Sequence, residues 1–211
     1  MLHMIRAMFG RQGQGDPTLG GPFERRDYGK RERFRPNYRQ LGQALVEVVD
    51  FETHLDVGCG QGLLMSVLAT LHGKNCQGIE GSAAAVEFAD PAVRDKISVA
   101  AISELTLGKQ YDLVSCVEVL EHIPEEASDA AVRFLTHSSS KWIYFSAAIP
   151  GQGGTGHINC QPSIYWILAM RRHGFELALD ECEALRQRII GMEPCVWLPQ
   201  NALIFRRFRP Q

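Results

Sequence analysis

The sequence lacks the long apolar segment that a membrane-spanning helix requires. No apolar run approaches the roughly 18 residues needed to cross a bilayer. The opening nine residues, MLHMIRAMF, are too short and too interrupted for the apolar part of a secretory signal. We therefore expect a cytoplasmic protein with no membrane partner.

The cysteines lack the pattern of a zinc ribbon or a disulfide framework. None of them forms a CxxC pair. A site built from His157 and Cys160 would need further convergent ligands, because metal sites use three or four, so we expect no metal. The cysteines are predicted to be free thiols packed as small apolar side chains: Cys59, Cys76, Cys116, Cys160, Cys182 and Cys195.

A large net charge of one sign is missing as well. Lys and Arg number 22 against 24 Asp and Glu, which leaves a net charge of -2 with neutral histidines. No overall field therefore draws the chain to nucleic acid, which we do not expect as a partner. The 211 residues, 45% of them hydrophobic, suffice for one ordinary core and would be cramped for two full domains.

The first part of the chain differs in composition from the rest. Residues 10–36 hold six glycines, three prolines and seven basic residues against four acidic ones. Such a segment buries too little apolar surface to order itself. We predict a flexible N-terminal arm over residues 1–37, either a solvated tail or a lid that orders over a bound ligand, followed by one domain over residues 38–211.

From Tyr38 onward, short apolar runs alternate with helical patterns. The apolar spacing after Tyr38 predicts a helix that begins the folded body. Nearly all-apolar strands between helices indicate an α/β fold with a parallel sheet covered on both faces. The basic C-terminal end is predicted to be an edge strand protected by its charges. The predicted strands are 54–57, 76–80, 97–101, 111–117, 142–149, 175–181 and 202–208, and further helices are predicted at 63–71, 82–89, 125–135 and 163–173.

A glycine-rich turn joins the first strand to the next helix. Residues 55–62 read LDVGCGQG, and glycines there allow a tight turn, a close approach to a ligand and access to the unpaired amides of a helix N-terminus. This pattern is typical of a nucleotide-type cradle. Leu63 stands where a dinucleotide fingerprint would have its third glycine, so NAD and FAD fit poorly.

A carboxylate follows at the end of the second strand. Glu80 lies 20 residues after Gly60, at the spacing where an acid can accept hydrogen bonds from both hydroxyls of a ribose. The alternative is that Glu80 and Ser82 simply serve the N-terminus of the following helix.

Together with the run YDLVSCVEVLEHI at residues 111–123, these features resemble the class I S-adenosylmethionine-dependent methyltransferases. The resemblance covers residues 55–208 and is to the small-molecule branch, which includes the ubiquinone-biosynthesis type enzymes. It implies a Rossmann-like three-layer α/β/α sandwich with a seven-stranded, mainly parallel sheet whose last strand is antiparallel. It also implies S-adenosylmethionine as cofactor and S-adenosylhomocysteine as product.

The resemblance further implies which residues hold the cofactor. The glycine turn would receive the methionine part, Glu80 the ribose, and the residues after the third strand the adenine. Residues at the end of the fourth strand would lie beside the sulfonium, although Glu118 can equally be a solvated or structural residue. The implied cofactor-binding residues are Asp56, Gly58, Cys59, Gly60, Gly62, Glu80, Gly81, Ile102, Ser103, Cys116, Val117 and Glu118.

The loop after the fifth strand is the predicted acceptor side. Residues 150–162 read PGQGGTGHINCQP and leave the sheet at the edge where ligands bind in open parallel sheets. A histidine is a natural base for a hydroxyl proton, so His157 is the first catalytic candidate and His122 the second. We predict that Gln152, Asn159 and Tyr165 bind the substrate. The alternative is an ordinary flexible connector.

The predicted function is therefore methylation of a small molecule, at a hydroxyl of a sugar or secondary metabolite. We find neither the Asn/Asp-Pro-Pro run of base-methylating enzymes nor the metal-binding acids of the catechol type. The alternatives are methylation of an amine, an RNA or a protein, and, in another class, a catalytically silent cofactor-binding subunit. The sequence gives no indication of the oligomeric state.

Overall fold

Seven strands form one sheet in a computed structural model that describes residues 25–101 and 108–208. The strand order is β3-β2-β1-β4-β5-β7-β6. Strands β1 to β5 pair in parallel, and β7 runs antiparallel to both of its neighbours. The strands are β1 (Thr53–Val57), β2 (Asn75–Glu80), β3 (Ile97–Val99), β4 (Tyr111–Val117), β5 (Ser139–Ser146), β6 (Phe175–Leu177) and β7 (Leu203–Arg207).

Helices cover both faces of this sheet, which confirms the predicted three-layer α/β fold. Neighbouring residues of a strand point to opposite faces. Leu113 accordingly packs with α2, α3 and α7, whereas Val114 packs with α5 and α6. The helices are α1 (Arg25–Tyr28), α2 (Arg35–Val48), α3 (Leu63–His72), α4 (Ala83–Glu87), α5 (Ser128–Ser138), α6 (Ser163–Arg172), α7 (Leu179–Ile189) and α8 (Trp197–Asn201), with short 3-10 turns at Arg31–Phe34, Arg94–Lys96, Leu120–His122 and Glu125–Ala127.

The region after α6 differs from its prediction. Strand β6 ends at Leu177, and of the remainder of the predicted strand, Ala178 precedes α7 and residues 179–181 belong to it. The physical reason is the helical spacing of Cys182, Leu185 and Ile189, all of which are buried in the core.

The prediction that the basic C-terminal strand lies at an edge is wrong. Strand β7 is inside the sheet, between β5 and β6. Its arginines are accommodated by partners: Arg206 pairs with Glu176 at 2.8 Å, and Arg207 donates to the carbonyl oxygen of Thr136 at 2.7 Å. Charge at the end of this strand therefore did not indicate an edge.

The second part of the predicted arm is helical, and its first 24 residues lie outside the described residues. The boundary predicted after residue 37 falls inside α2. Arg25 forms an ion pair with Glu87, and Arg35 lies 3.1 Å from Asp90. These contacts hold residues 25–37 against α4 and the residues that follow it. Within the described ranges, no helix has the length and apolar character to cross a membrane.

Candidate functional site

A cavity of about 520 Å³ opens where β1, β2 and β4 end. Its volume lies within the range of small-molecule and cofactor sites. The glycine turn and Glu80 form one side, and residues after β4 together with the loop after β5 form the other. The predicted site residues on its wall are Asp56, Gly58, Cys59, Gly60, Glu80, Gly81, Val117, Glu118, His122, Gln152 and His157.

Glu80 connects the end of β2 to the glycine turn. Its carboxylate accepts hydrogen bonds from the backbone amides of Gly60 at 2.7 Å and Ser82 at 2.9 Å. Burial raises the pKa of Glu80, and the two amides act against that rise. The hydrogen bond from Ser82 matches the helix-side alternative for this acid. The hydrogen bond from Gly60 in addition places the carboxylate on the cavity wall.

The turn itself requires glycine at Gly58. Its φ of 74° is in the left-handed region, which L residues rarely adopt. A Cβ atom there would also lie 2.4 Å from Cγ2 of Val119. The turn after β1 is therefore packed directly against the segment after β4, and the two cavity walls meet at this point.

Beneath the turn, Asp56 belongs to a buried polar chain. The hydroxyl of Ser115 donates to Oδ1 of Asp56 at 2.5 Å and lies 2.7 Å from Nε2 of His54. Burial raises the pKa of Asp56 to about 7 and lowers the pKa of His54 to about 3. Both shifts favour uncharged side chains, because burial disfavours the charged form of either group.

Glu118 has a backbone conformation that is unusual for a residue other than glycine. Its φ is 53°, which costs about 1–3 kcal/mol when the surroundings impose it. Its carboxylate accepts hydrogen bonds from the amides of Asn201 at 3.1 Å and Gln152 at 3.3 Å. Burial raises the pKa of Glu118. Glu118 is thus part of a polar network on the wall and not a solvated residue.

Glu121 and two histidines meet on the acceptor side. Oε1 of Glu121, a fully buried residue, lies 3.9 Å from Nε2 of His157, and the rings of His122 and His157 are 5.0 Å apart. Burial and the nearby Glu118 raise the pKa of Glu121 to about 8, and burial lowers the pKa of His122 to about 4. One potential ligand atom from each of the three lies within 4.8 Å of the others.

Backbone hydrogen bonds hold the loop after β5 against this group. The carbonyl oxygen of Glu121 accepts from the amides of Ile158 at 2.9 Å and Asn159 at 3.0 Å. The side-chain amide of Asn159 donates to the carbonyl of Leu120 and to the hydroxyl of Ser128. His157, directly before these residues, is therefore fixed beside Glu121.

The arm supplies wall residues that sequence reasoning did not assign to the site. Tyr28, Arg31 and Phe34 line the cavity. Nη1 of Arg31 is 3.8 Å from the place a Cβ atom on Gly60 would take. The ring of Phe34 meets Trp197 edge-on at 6.1 Å between centroids. The basic composition of the arm is the sequence feature that could have indicated Arg31, whereas no sequence pattern indicated Trp197.

Four other predicted residues within the described part of the chain lie away from the cavity wall. Gly62 ends the turn and begins α3, Cys116 is buried in β4, and Asn159 has the structural contacts given above. Tyr165 packs edge-on against Trp166. The predicted adenine contacts Ile102 and Ser103 lie outside the described residues.

Comparisons with known proteins agree with this geometry. A family model described as a methyltransferase domain matches residues 29–179. The ubiquinone biosynthesis O-methyltransferase of Paraburkholderia xenovorans (strain LB400) is 32% identical over 103 residues, which are 45% of this chain and 44% of that protein. The chain matches about half the length of the curated relatives, with 53% of the protein covered in Burkholderia pseudomallei (strain 1710b).

Two solved structures show a similar fold. The magnesium protoporphyrin IX methyltransferase of Synechocystis PCC 6803, with bound S-adenosylhomocysteine, has a TM-score of 0.60 and 19% identity over 99% of this chain and 94% of that chain. An amino pentose methyltransferase from Micromonospora echinaspora, with bound S-adenosylmethionine, has a TM-score of 0.63 and 14% identity over 88% and 98% of the two chains.

Proposed function

The chain belongs to the methyltransferase domain family, in its class I S-adenosylmethionine-dependent group, and from that premise we propose that it methylates a hydroxyl group of a small molecule. The observation that carries this proposal is one cavity with two unlike ends. Glu80 and the glycine turn form the donor end, and His157, His122 and Glu121 form the acceptor end.

The residues at the donor end fit S-adenosylmethionine. Each oxygen of the Glu80 carboxylate accepts one amide hydrogen bond and retains a lone pair for a ribose hydroxyl. The guanidinium of Arg31 lies over the glycine turn, where it can pair with the carboxylate of the methionine part. In this proposal residues 25–37 are the lid over the donor.

The chemistry of the donor is a single displacement. S-adenosylmethionine supplies a methyl group whose bond to sulfur breaks, with the electron pair left on sulfur, as the acceptor oxygen bonds to carbon. The protein must then align donor and acceptor and keep water out. Val117 and Glu118, at the end of β4, would lie between the two ends.

The acceptor end must remove the hydroxyl proton. His157 and His122 line that wall beside Glu121, and we assign proton removal to this group, with His157 first. Gln152, whose side chain is oriented by Glu118 and Asn201, would hydrogen-bond the acceptor. The curated relatives are named O-methyltransferases, which supports oxygen over nitrogen as the methylated atom.

A turnover assay tests the proposal. The purified chain is incubated with labelled S-adenosylmethionine and matched sets of phenols, catechols and sugars, with the corresponding amines and total RNA as separate arms. We expect S-adenosylhomocysteine to form with a hydroxyl compound. Methylation confined to the amine or RNA arms would shift the acceptor class, and donor binding without turnover in any arm would favour the silent subunit.

A further inference from the structure

We infer that Asp56 releases its proton when the donor binds, and that the ionised carboxylate then pairs with the α-ammonium group of the donor. The inference rests on the proposed function and deepens it, because it concerns how the same cavity takes up a ligand that carries a positive charge. Its consequence is that the affinity for the donor depends on pH.

Asp56 lies on the cavity wall, directly before the glycine turn. The residue is only 4% exposed and still lines the cavity. Its Oδ1 atom accepts the hydroxyl hydrogen of Ser115 at 2.5 Å. Among the described residues, the carboxylate has no second hydrogen-bond donor. A further partner can therefore reach the carboxylate from the cavity side.

The protein supplies no positive charge behind Asp56. The hydroxyl of Ser115 lies 2.7 Å from Nε2 of His54. His54 is fully buried, and burial lowers its pKa to about 3, so its ring is neutral. In the described part of the chain, Nδ1 of His54 has no hydrogen-bond partner. The charged group that acts on Asp56 is another acid, Glu80, so an ionised Asp56 needs a counter-charge from a ligand.

The remaining titratable groups around Asp56 are uncharged near pH 7. They belong to α2, the glycine turn, β2, β4 and β5, and burial raises the pKa of each one: Tyr38, Cys59, Cys76, Cys116 and Tyr144. Arg31 of the arm acts on the nearby Glu80. Burial and Glu80 raise the pKa of Asp56 to about 7, against the opposing hydrogen bond from Ser115.

The donor brings the missing positive charge. S-adenosylmethionine and S-adenosylhomocysteine both carry an α-ammonium and an α-carboxylate group on one carbon atom. In the proposed function the carboxylate pairs with Arg31 over the glycine turn, so the ammonium lies within reach of Asp56 beneath the turn. A close opposite charge favours the ionised form of a carboxyl group. The proton of Asp56 therefore passes to the solvent as the pair forms.

The direction of the pH dependence follows from this exchange. Below pH 7 most of the Asp56 carboxyl groups must lose a proton before the pair can form, so the affinity should rise with pH. With complete release of one proton, the affinity should increase about 15-fold from pH 5.5 to pH 7. The α-ammonium group of the ligand stays charged over this range, because α-amino groups lose their proton only near pH 8.

Calorimetric titration of the full chain with S-adenosylhomocysteine measures the exchange. Titrations at pH 6 in buffers of different ionisation enthalpy give the number of protons released per ligand bound. The wild type should release about one proton more than Asp56→Asn, which has no carboxyl proton to lose. Asp180→Asn is the matched control, because Asp180 is an exposed aspartate in the first turn of α7. This variant should release as many protons as the wild type.

A second variant, Ser115→Ala, retains the carboxyl group and changes its pKa. The hydrogen bond from Ser115 lowers the pKa of Asp56, so its loss should raise that pKa and move the increase in affinity to higher pH. The Asp56 proton released at pH 7, about one half per ligand in the wild type, should then approach one. A purely structural effect would weaken binding by the same factor at every pH. Thermal unfolding curves show whether each variant is folded.

Equal proton release by the wild type and folded Asp56→Asn would overturn the inference. An affinity curve that does not shift in folded Ser115→Ala would also overturn it. Either result, obtained while S-adenosylhomocysteine still binds, would leave the proposed function standing. Absence of binding to the folded wild type at every pH would contradict both the inference and the proposed function.

Discussion

The carboxylate of Glu80 accepts the amide hydrogen of Gly60 at 2.7 Å, so the acid that ends β2 and the turn that follows β1 are one unit. This contact joins two features that lie 20 residues apart in the sequence. It also means that Glu80 acts on the donor end in two ways, by shaping the turn and by presenting its oxygens to the cavity.

Glu80→Ala should weaken binding of S-adenosylhomocysteine by about 10- to 100-fold, because hydrogen bonds to a charged group contribute about 1.5–3 kcal/mol. Glu80→Gln keeps one acceptor oxygen, so its affinity for S-adenosylhomocysteine should lie between those of the wild type and Glu80→Ala. Calorimetric titration measures both. An unchanged dissociation constant in Glu80→Ala would exclude this residue from the donor site.

Arg31→Ala should weaken binding of S-adenosylhomocysteine by about tenfold or more, since it removes a charge-assisted pair with the carboxylate of the ligand. Arg39→Ala is the matched control, because Arg39 is an exposed arginine on α2 away from the cavity wall. If both variants bound equally well, the arm would have no part in donor recognition.

His157→Ala should lower kcat by about 10²- to 10⁴-fold, the range for loss of a group that assists proton transfer. Affinity for S-adenosylhomocysteine should stay within a few-fold of wild type, because His157 lies at the acceptor end. His137→Ala serves as the control. Full turnover by His157→Ala with an identified acceptor would remove the residue from the mechanism.

Gly154→Ala should reproduce part of the loss of kcat expected for His157→Ala, although it replaces no ionisable residue. A Cβ atom on Gly154 would overlap Nε2 of His157, so the imidazole must leave its present position. Gly153→Ala is the natural comparison, because a Cβ atom there meets nothing within 4 Å. Steady-state kinetics of the two variants should therefore differ clearly, and equal activity would show that the position of His157 is unimportant.

Asp56 should make stability depend on pH. Its folded pKa of about 7 lies above the usual unfolded value, so the folded state binds the proton more tightly. The contribution of Asp56 to the free energy of unfolding is fully present below about pH 4. It declines as pH rises to 7, by up to about 4 kcal/mol. His54, whose folded pKa is lowered to about 3, contributes in the opposite direction between about pH 3 and 6.5.

The comparison with Asp56→Asn isolates this effect. The variant keeps an oxygen for the Ser115 hydroxyl and lacks the proton equilibrium. Its free energy of unfolding, measured by urea denaturation from pH 4 to 8, should rise relative to wild type as pH increases. A difference that is constant with pH would show that Asp56 ionises normally in the folded protein.

The donor end was predictable because its signals are local. A strand, a turn that needs positive φ at Gly58, and an acid at the end of the next strand all follow from short-range rules. The parallel order of β1, β2 and β4 then brings these ends together. The antiparallel strand was predicted from the resemblance to the methyltransferase family, which the family match confirms.

The acceptor end was only partly predictable because its contacts are distant in the chain. Asn201 and Glu118 are 83 residues apart, and no local pattern connects them. Glu121 was not among the predicted site residues, since burial of a single acid cannot be deduced from spacing. Residues 178–181 were assigned to a strand because a short apolar run does not distinguish a strand from the start of a helix.

The most direct test of the account is calorimetric titration of the folded chain with S-adenosylhomocysteine. We predict saturable binding of one equivalent that is weakened in Glu80→Ala and in Arg31→Ala. Protein that unfolds cooperatively yet gives no binding with either S-adenosylhomocysteine or S-adenosylmethionine would contradict the account.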